Sequence, residues 1–308
     1  MALPQHLLDL AAKVSNWGRW GADDRRGTLN LIDHAAIQRG IAAATQGQVF
    51  SLSMPFDENG PQLGFIPGRV NPTRTMVEIN NAITGDQADF SSSDDAVTMG
   101  VQASTHWDAL GHGGYDGLLY NGVSSSTIDA TGSTQHGIEH FGPIVTRGVL
   151  LDMARFMDVD MLEGGYAITG DDLDDAAAAA NLMIFPGDIV CIRTGRIQLF
   201  QRGDTMSYVI ECAGPSTKSI EWFRDHDVAA VATDTLTFEV FPCEFPDAWL
   251  PVHAIHLRDV GLVQGQNWNY ESLAADCAAD GKYEFLLSAT PLPMTRSTGG
   301  AVAPTAIK

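Results

Sequence analysis

The run Gln102-Ala103-Ser104-Thr105-His106-Trp107-Asp108-Ala109-Leu110-Gly111-His112 brings imidazole, carboxylate and carboxamide groups together in one short stretch. The preceding Ala96-Val97-Thr98-Met99-Gly100-Val101 predicts an extended chain. Side chains of a strand alternate with period two, so Gln102, Ser104, His106 and Asp108 would share one face. A helix, at about 100° per residue, would put His106 and Asp108 on opposite sides. His112 follows past the permissive Gly111. One face then offers nitrogen and oxygen donors to a hard or borderline cation, and such a set is costly to bury without a task. The bland alternative is a strand end whose His and Asp bond to each other and to nearby backbone.

Around this run the chain reads as mixed α/β without internal repeats. Leu3 to Trp17 carries apolar residues at helical spacing, and Asp33 to Thr45 is a second predicted helix opening at a capping Asp. Ser51 to Glu58 and Arg74 to Ile79 are strand-like; Asn59 to Asn71 and Gly85 to Asp95 read as loops, able to supply a lid. Ile144 to Leu151 is a continuous apolar strand, and Thr169-Gly170-Asp171-Asp172 is a capping box for a helix through Ala180. Strand Ile189 to Arg193, helix Ser216 to Asp225, strand Val228 to Thr233, helix Tyr270 to Ala279 and strand Tyr283 to Ala289 then alternate. This order predicts a mixed, barrel-like sheet packed by helices. No linker divides the chain, so one domain over 1–308 is expected, with a helical segment over about 1–45.

Composition narrows the partners. With 18 basic and 38 acidic residues among 308, the formal net charge of -20 disfavours nucleic acid and anionic membranes. A small molecule is the expected partner. Cys191, Cys212, Cys243 and Cys277 form no Cys-x-x-Cys pair and read as reduced thiols. No leader pattern or membrane span is evident, so a cytoplasmic location is expected.

Several histidines invite over-reading. His136 and His140 have the i, i+4 spacing of a helical metal pair, but Gly132, Gly137 and Gly142 argue against a helix there. His226, between Asp225 and Asp227, reads as a solvated helix end. Trp17, Trp20, Phe65 and Trp107 are candidates to line a pocket for a planar or hydrophobic group, with plain core packing as the alternative.

The motif run resembles the His-x-Gly-Thr-His-x-Asp-x-Pro-x-His signature of the cyclase family that includes bacterial kynurenine formamidase and isatin hydrolase. Thr105, His106, Asp108 and His112 match, whereas Gln102 replaces the first His, Ser104 the Gly and Leu110 the Pro. Trp20 to Asn30, Gly142 to Asp152, Pro186-Gly187-Asp188, Thr233-Asp234-Thr235, Pro251-Val252-His253, Gly265-Gln266-Asn267-Trp268 and Phe285 to Pro293 are similar to further family segments. The resemblance implies the swivelling β/β/α fold and a homodimer or homotetramer. It also implies a later His and Glu completing the metal site, at positions held here by His253 and Gln266, with His256 ranking behind His253.

With neutral amides at Gln102 and Gln266, a second divalent ion would lack charge to offset repulsion. The expectation is therefore one ion, Zn2+ or Mn2+, with His106 and Asp108 as core ligands and Gln102 as a weaker one. His112 is the expected proton carrier, and Asp234 would orient a ligand or water. The resulting expectation is hydrolysis of a cyclic or aryl amide, or of a lactone, by water activated at the ion. The alternatives are a metal-dependent lyase or cyclase, and a small-molecule-binding protein with a decayed site.

Overall fold

The computed structural model describes residues 3–308. Its strands, in chain order, are β1 (Val49–Ser51), β2 (Thr73–Ala82), β3 (Ser91–Thr98), β4 (His106–Asp108), β5 (Val145–Asp152), β6 (Ile189–Arg193), β7 (Ala230–Thr233), β8 (Val263–Gln266), β9 (Glu284–Ser288), β10 (Gly299–Ala301) and β11 (Thr305–Ile307), besides a few two-residue pairings. The principal helices are α1 (Gln5–Val14), α2 (His34–Ala43), α3 (Gly170–Ala179), α4 (Ile220–Asp225), α5 (Pro251–Ile255) and α6 (Glu271–Asp280). Nine strands form one curled, half-barrel sheet in the order β1-β11-β9-β5-β6-β7-β8-β4-β10. The centre, β5 to β8, is parallel, and the flanking pairs are antiparallel. The mixed, helix-packed sheet expected from the sequence is present.

Parallel central strands are covered on both faces and therefore read as continuous apolar runs. Val149, Leu151, Val190, Ile192 and Val231 point into a core closed by α1, α3, α4 and α5. Leu150, Ile189, Cys191, Ala230 and Ala232 point the other way, into a core with Trp107, Trp268 and Leu273 of α6. Helix α2 lies against β5 at Gly40, where a Cβ would stand 2.7 Å from the Thr146 backbone. Glycine is the residue that permits this approach. The predicted caps form as well: Asp33 accepts from the Ala36 N–H, and Thr169 and Asp172 make a reciprocal capping box.

Three local expectations are corrected. The motif strand is only His106–Asp108, because the chain turns between Gly100 and Ala103, the Ala103 N–H bonding to the Gly100 carbonyl at 3.0 Å. Gln102 and Ser104 are therefore brought near the strand by a turn, and shared parity holds for His106 and Asp108 alone. Ser91 to Asp95, expected in a loop, is paired with β2 in an exposed ribbon, since strand pairing can fix a polar segment that burial would not. The Ser51 to Glu58 strand stops early, at Ser51, save for a bridge from Ser53 to Trp268; Pro55 has no N–H with which to continue a ladder. Among the described residues no helix is long and apolar enough to cross a membrane.

One buried ion pair ties β5 to the turn before β6. Arg147 donates from Nε and Nη2 to the two oxygens of Asp188 at 3.1 and 2.6 Å, and Asp188 also accepts from the Phe185 N–H at 2.8 Å. Arg147 keeps a second carboxylate partner in Glu284 at 2.7 Å, but Asp188 has no other cation among the described residues, so removing Arg147 leaves the Asp188 charge buried and unpaired. Arg147→Ala should cost roughly 3–5 kcal/mol of stability, read as a lower urea midpoint at unchanged slope. A loss below about 1 kcal/mol, the range of an exposed pair, would refute the account.

Candidate metal centre

Strand β4 lies between β8 and β10, with His106 opposite Gln266 and Asp108 opposite Gln264. Pleating sends His106, Asp108, Gln264 and Gln266 to one side and Trp107 to the other. Trp107 packs edge-to-face on Trp268 at 4.9 Å, and its indole N–H donates to the Ala289 carbonyl at 2.8 Å. Trp107 is fully buried and holds the strand from behind, which is the core-packing alternative of the two expected for it.

His106 and Asp108 are almost wholly buried. The His106 Nδ1–H donates to the Ser104 carbonyl at 2.7 Å, which leaves the Nε2 lone pair of the neutral ring directed into the site. Nε2 stands 3.5 Å from Asp108 Oδ1, and neither atom has a hydrogen-bond partner. Two buried lone pairs face each other stably only with a positive charge between them. For donors about 2.1 Å from a tetrahedral ion, a separation near 3.4 Å is expected, so the pair fits one divalent cation. His112 Nε2 lies 3.7 Å from the same oxygen. Among the described residues no group of three or more His, Cys, Asp or Glu side chains is disposed to hold a metal ion. The convergent core is the His106–Asp108 pair with His112 beside it.

The other oxygen of Asp108 belongs to a chain of hydrogen bonds. Gln266 Nε2 donates to Oδ2 at 2.5 Å and lies 3.2 Å from His253 Nε2, which accepts because His253 Nδ1 donates to Glu239 Oε1 at 2.6 Å. His253 Nε2 is itself 4.0 Å from Asp108 Oδ2. Gln266 and His253 therefore belong to the centre, with the amide inserted between imidazole and carboxylate. Gln102 reaches the centre through His112: its Nε2 is 3.4 Å from Nδ1, which in that arrangement accepts and leaves the ring proton on Nε2, facing Asp108. Burial alone would raise the Asp108 pKa, but the electrostatic pull of the surrounding His112, His106 and His253 imidazoles outweighs it and holds the carboxylate below its usual range. Burial lowers the His112 pKa, against the pull of Asp108.

The remaining candidates lie elsewhere. The Asp234 carboxylate accepts from the Thr194 N–H and Oγ1–H and from the Gly195 N–H, and so holds a turn at the ends of β6 and β7. Trp17 donates to the Arg258 carbonyl at 2.6 Å beneath the Arg258 guanidinium, and Trp20 packs against Arg19. Phe65 stands 62% exposed on the loop before β2. His136 is bonded to the Tyr120 carbonyl, His226 to the Trp222 carbonyl, and His256, pushed down to about 3 by burial, pairs with Gln264. None of these residues joins the pair at Asp108.

Two participants were not singled out from the sequence. Glu239 accepts from the N–H groups of Val252 and His253 as well as from the imidazole, which fixes α5 and the His253 ring together. A lone carboxylate inside the apolar run Phe238-Glu239-Val240-Phe241 was the available signal. Arg69, half-buried on the loop before β2, acts electrostatically on both Asp108 and His112. Nothing in its Gly/Pro-rich surroundings marks it.

Known proteins similar to this chain identify its family. A family model described as putative cyclase matches residues 50–240. No curated protein matches. A solved structure described as a novel cyclase is 36% identical over 100% of both chains, with a TM-score of 0.88. Isatin hydrolase A from Ralstonia solanacearum is 16% identical over 88% of this chain and 95% of its own, with a TM-score of 0.62. A potential metal-dependent hydrolase with cyclase activity is 16% identical over 84% of this chain and 98% of its own, with a TM-score of 0.53. At such identities the last two show a shared fold. The long family match and the relative at 36% identity establish that this chain belongs to the putative cyclase family.

Proposed function

We propose that the protein is a metal-dependent hydrolase that opens a cyclic or aryl amide or a lactone, using one divalent ion, Zn2+ or Mn2+. The observation that carries this reading is the unpartnered, buried pair His106 Nε2 and Asp108 Oδ1 at 3.5 Å. When bound there, a divalent ion polarises a carbonyl and brings the pKa of a water towards ~7.

The chain's own groups do the rest. Ser104, through its carbonyl, fixes the His106 tautomer; Gln266, braced by His253 and Glu239, orients Asp108 so that Oδ1 stays open. His112 is the partly exposed imidazole of the group, and its Nε2 faces the open oxygen. From there it delivers a proton to a leaving nitrogen or oxygen. The hydrolase descriptions of the structural relatives support the same reading.

His106→Ala and Asp108→Ala should each lose bound metal after desalting while the circular-dichroism spectrum persists. Their loss in affinity should exceed the ~10 to 100-fold of an indirect partner. Full occupancy in both, measured by elemental analysis, would end the proposal.

His112→Asn should keep the metal yet lower kcat by roughly 10² to 10⁴, tested on an amide and lactone panel. Metal loss in this variant would make His112 a ligand instead of a proton carrier.

Glu239→Ala strips a buried imidazole and two helix-end N–H groups of their acceptor. It should destabilise the fold by roughly 3–9 kcal/mol, at about 1–3 kcal/mol for each of the three unsatisfied buried groups. Glu239→Gln, which restores an acceptor, should recover much of this in the same denaturation experiment.

A further inference from the structure

A cavity of about 740 Å3 lies between Gly114-Tyr115 and the loop Phe241 to Trp249. Its three walls issue from the candidate centre. Gly114 follows His112 by two residues, Ala254 follows His253 directly, and Phe241 comes two residues after Glu239. The volume falls in the ~300–1,000 Å3 range of small-molecule sites. Tyr115, Phe241, Phe245 and Trp249 supply aromatic surface, Phe241 and Trp249 standing edge-to-face at 5.7 Å. Trp249 is 74% exposed, beside a cavity it could cover.

Charge restricts the occupant. Asp247 is the only charged side chain among the described lining residues, and none is basic. An anionic group would enter against this carboxylate and a formal net charge of -20. A cation or a neutral ring would not, and aromatic walls favour flat partners and ring-stacked cations.

We propose that this cavity binds a flat aromatic group that is neutral or cationic, and that filling it fixes the loop that carries Glu239 and hence the His253 ring. Binding stands on the cavity alone; only its link to turnover rests on the hydrolase reading.

The wall contains its own reporter. Cys243 is half-buried there, its Sγ accepting from the Leu250 N–H at 3.4 Å, whereas Cys191, Cys212 and Cys277 are buried. Alkylation of Cys243 by N-ethylmaleimide at pH 8, followed by peptide mass mapping, therefore reads access to the cavity. Three probes share one ring and differ in charge: indole, tryptamine and indole-3-acetate. With indole or tryptamine at about ten times its Kd, alkylation should slow roughly tenfold, since only free protein reacts. Indole-3-acetate should leave the rate unchanged in wild type, and Asp247→Asn should narrow the gap between it and tryptamine. Trp249→Ala and Phe245→Ala should abolish protection, with thermal melts confirming that each variant is folded.

Equal rates with and without all three probes would overturn the proposal, as would undiminished protection in both aromatic variants. Protection that arises without probe and grows with protein concentration would also overturn it, by making the cavity an interface between copies. Elemental analysis of the same wild-type sample keeps the two readings apart: probe binding without metal would sink the hydrolase and spare the cavity, and metal without probe binding the reverse. Where both hold, Phe245→Ala should raise KM for aromatic substrates more than for aliphatic ones at unchanged metal content.

Discussion

The division of labour between the two oxygens of Asp108 governs the centre. Oδ2 is taken by the Gln266 amide, and Oδ1 is left open to His106 and His112. A carboxylate buried this completely is tolerable only if its charge is answered, and here the answer comes from imidazoles and an amide on three different elements. β4 supplies the carboxylate and one imidazole, β8 the amide, and α5 the His253 ring. The sheet register is therefore part of the chemistry: a slip of one residue in β4 would exchange Asp108 with Trp107 and turn the indole into the site. Trp107 resists that slip by anchoring its ring on Trp268 and its N–H on Ala289.

How much of this could be read from the chain follows from the range of the forces involved. Local rules worked well. The apolar run at Ile144, the capping box at Thr169 and the alternation from Ile189 onward report burial and hydrogen bonding within a few residues. His106 and Asp108 share a face because two-residue parity survives even in a three-residue strand. Longer inferences failed where tertiary contacts decide. Gln102 was placed by parity and reaches the centre by a turn; Trp107 has the composition of a pocket residue and the parity of a core one. Glu239 and Arg69 come from loops whose courses no periodicity encodes.

Asp234 illustrates how a perturbed acid can be misread. Its burial raises its pKa to about 6, the kind of shift that marks many functional carboxylates. Because the folded-state value lies above the ordinary one, protonation favours the folded state, and that contribution is lost as pH rises from about 4 to about 6. The carboxylate nevertheless makes three bonds to the Thr194–Gly195 turn. Its place is structural, at the ends of parallel strands where the chain must turn. The shift reports burial, and the geometry of the donors separates it from Asp108.

The charge count at the centre bears on the number of ions it can hold. Asp108 is the carboxylate with an open oxygen; Glu239 spends its charge on His253 and the N–H groups of α5, and Gln102 and Gln266 add none. Two divalent ions at the ~3.5–4 Å spacing of two-metal sites would repel by on the order of 15–20 kcal/mol even at an effective dielectric constant near 20. One open carboxylate does not offset a repulsion of that size. Gln266 has a second effect in the same direction, because its N–H occupies Oδ2, the oxygen a bridging carboxylate would need for a second ion. Both the charge and the hydrogen-bond geometry thus support the proposal of one cation, not two, at His106 and Asp108.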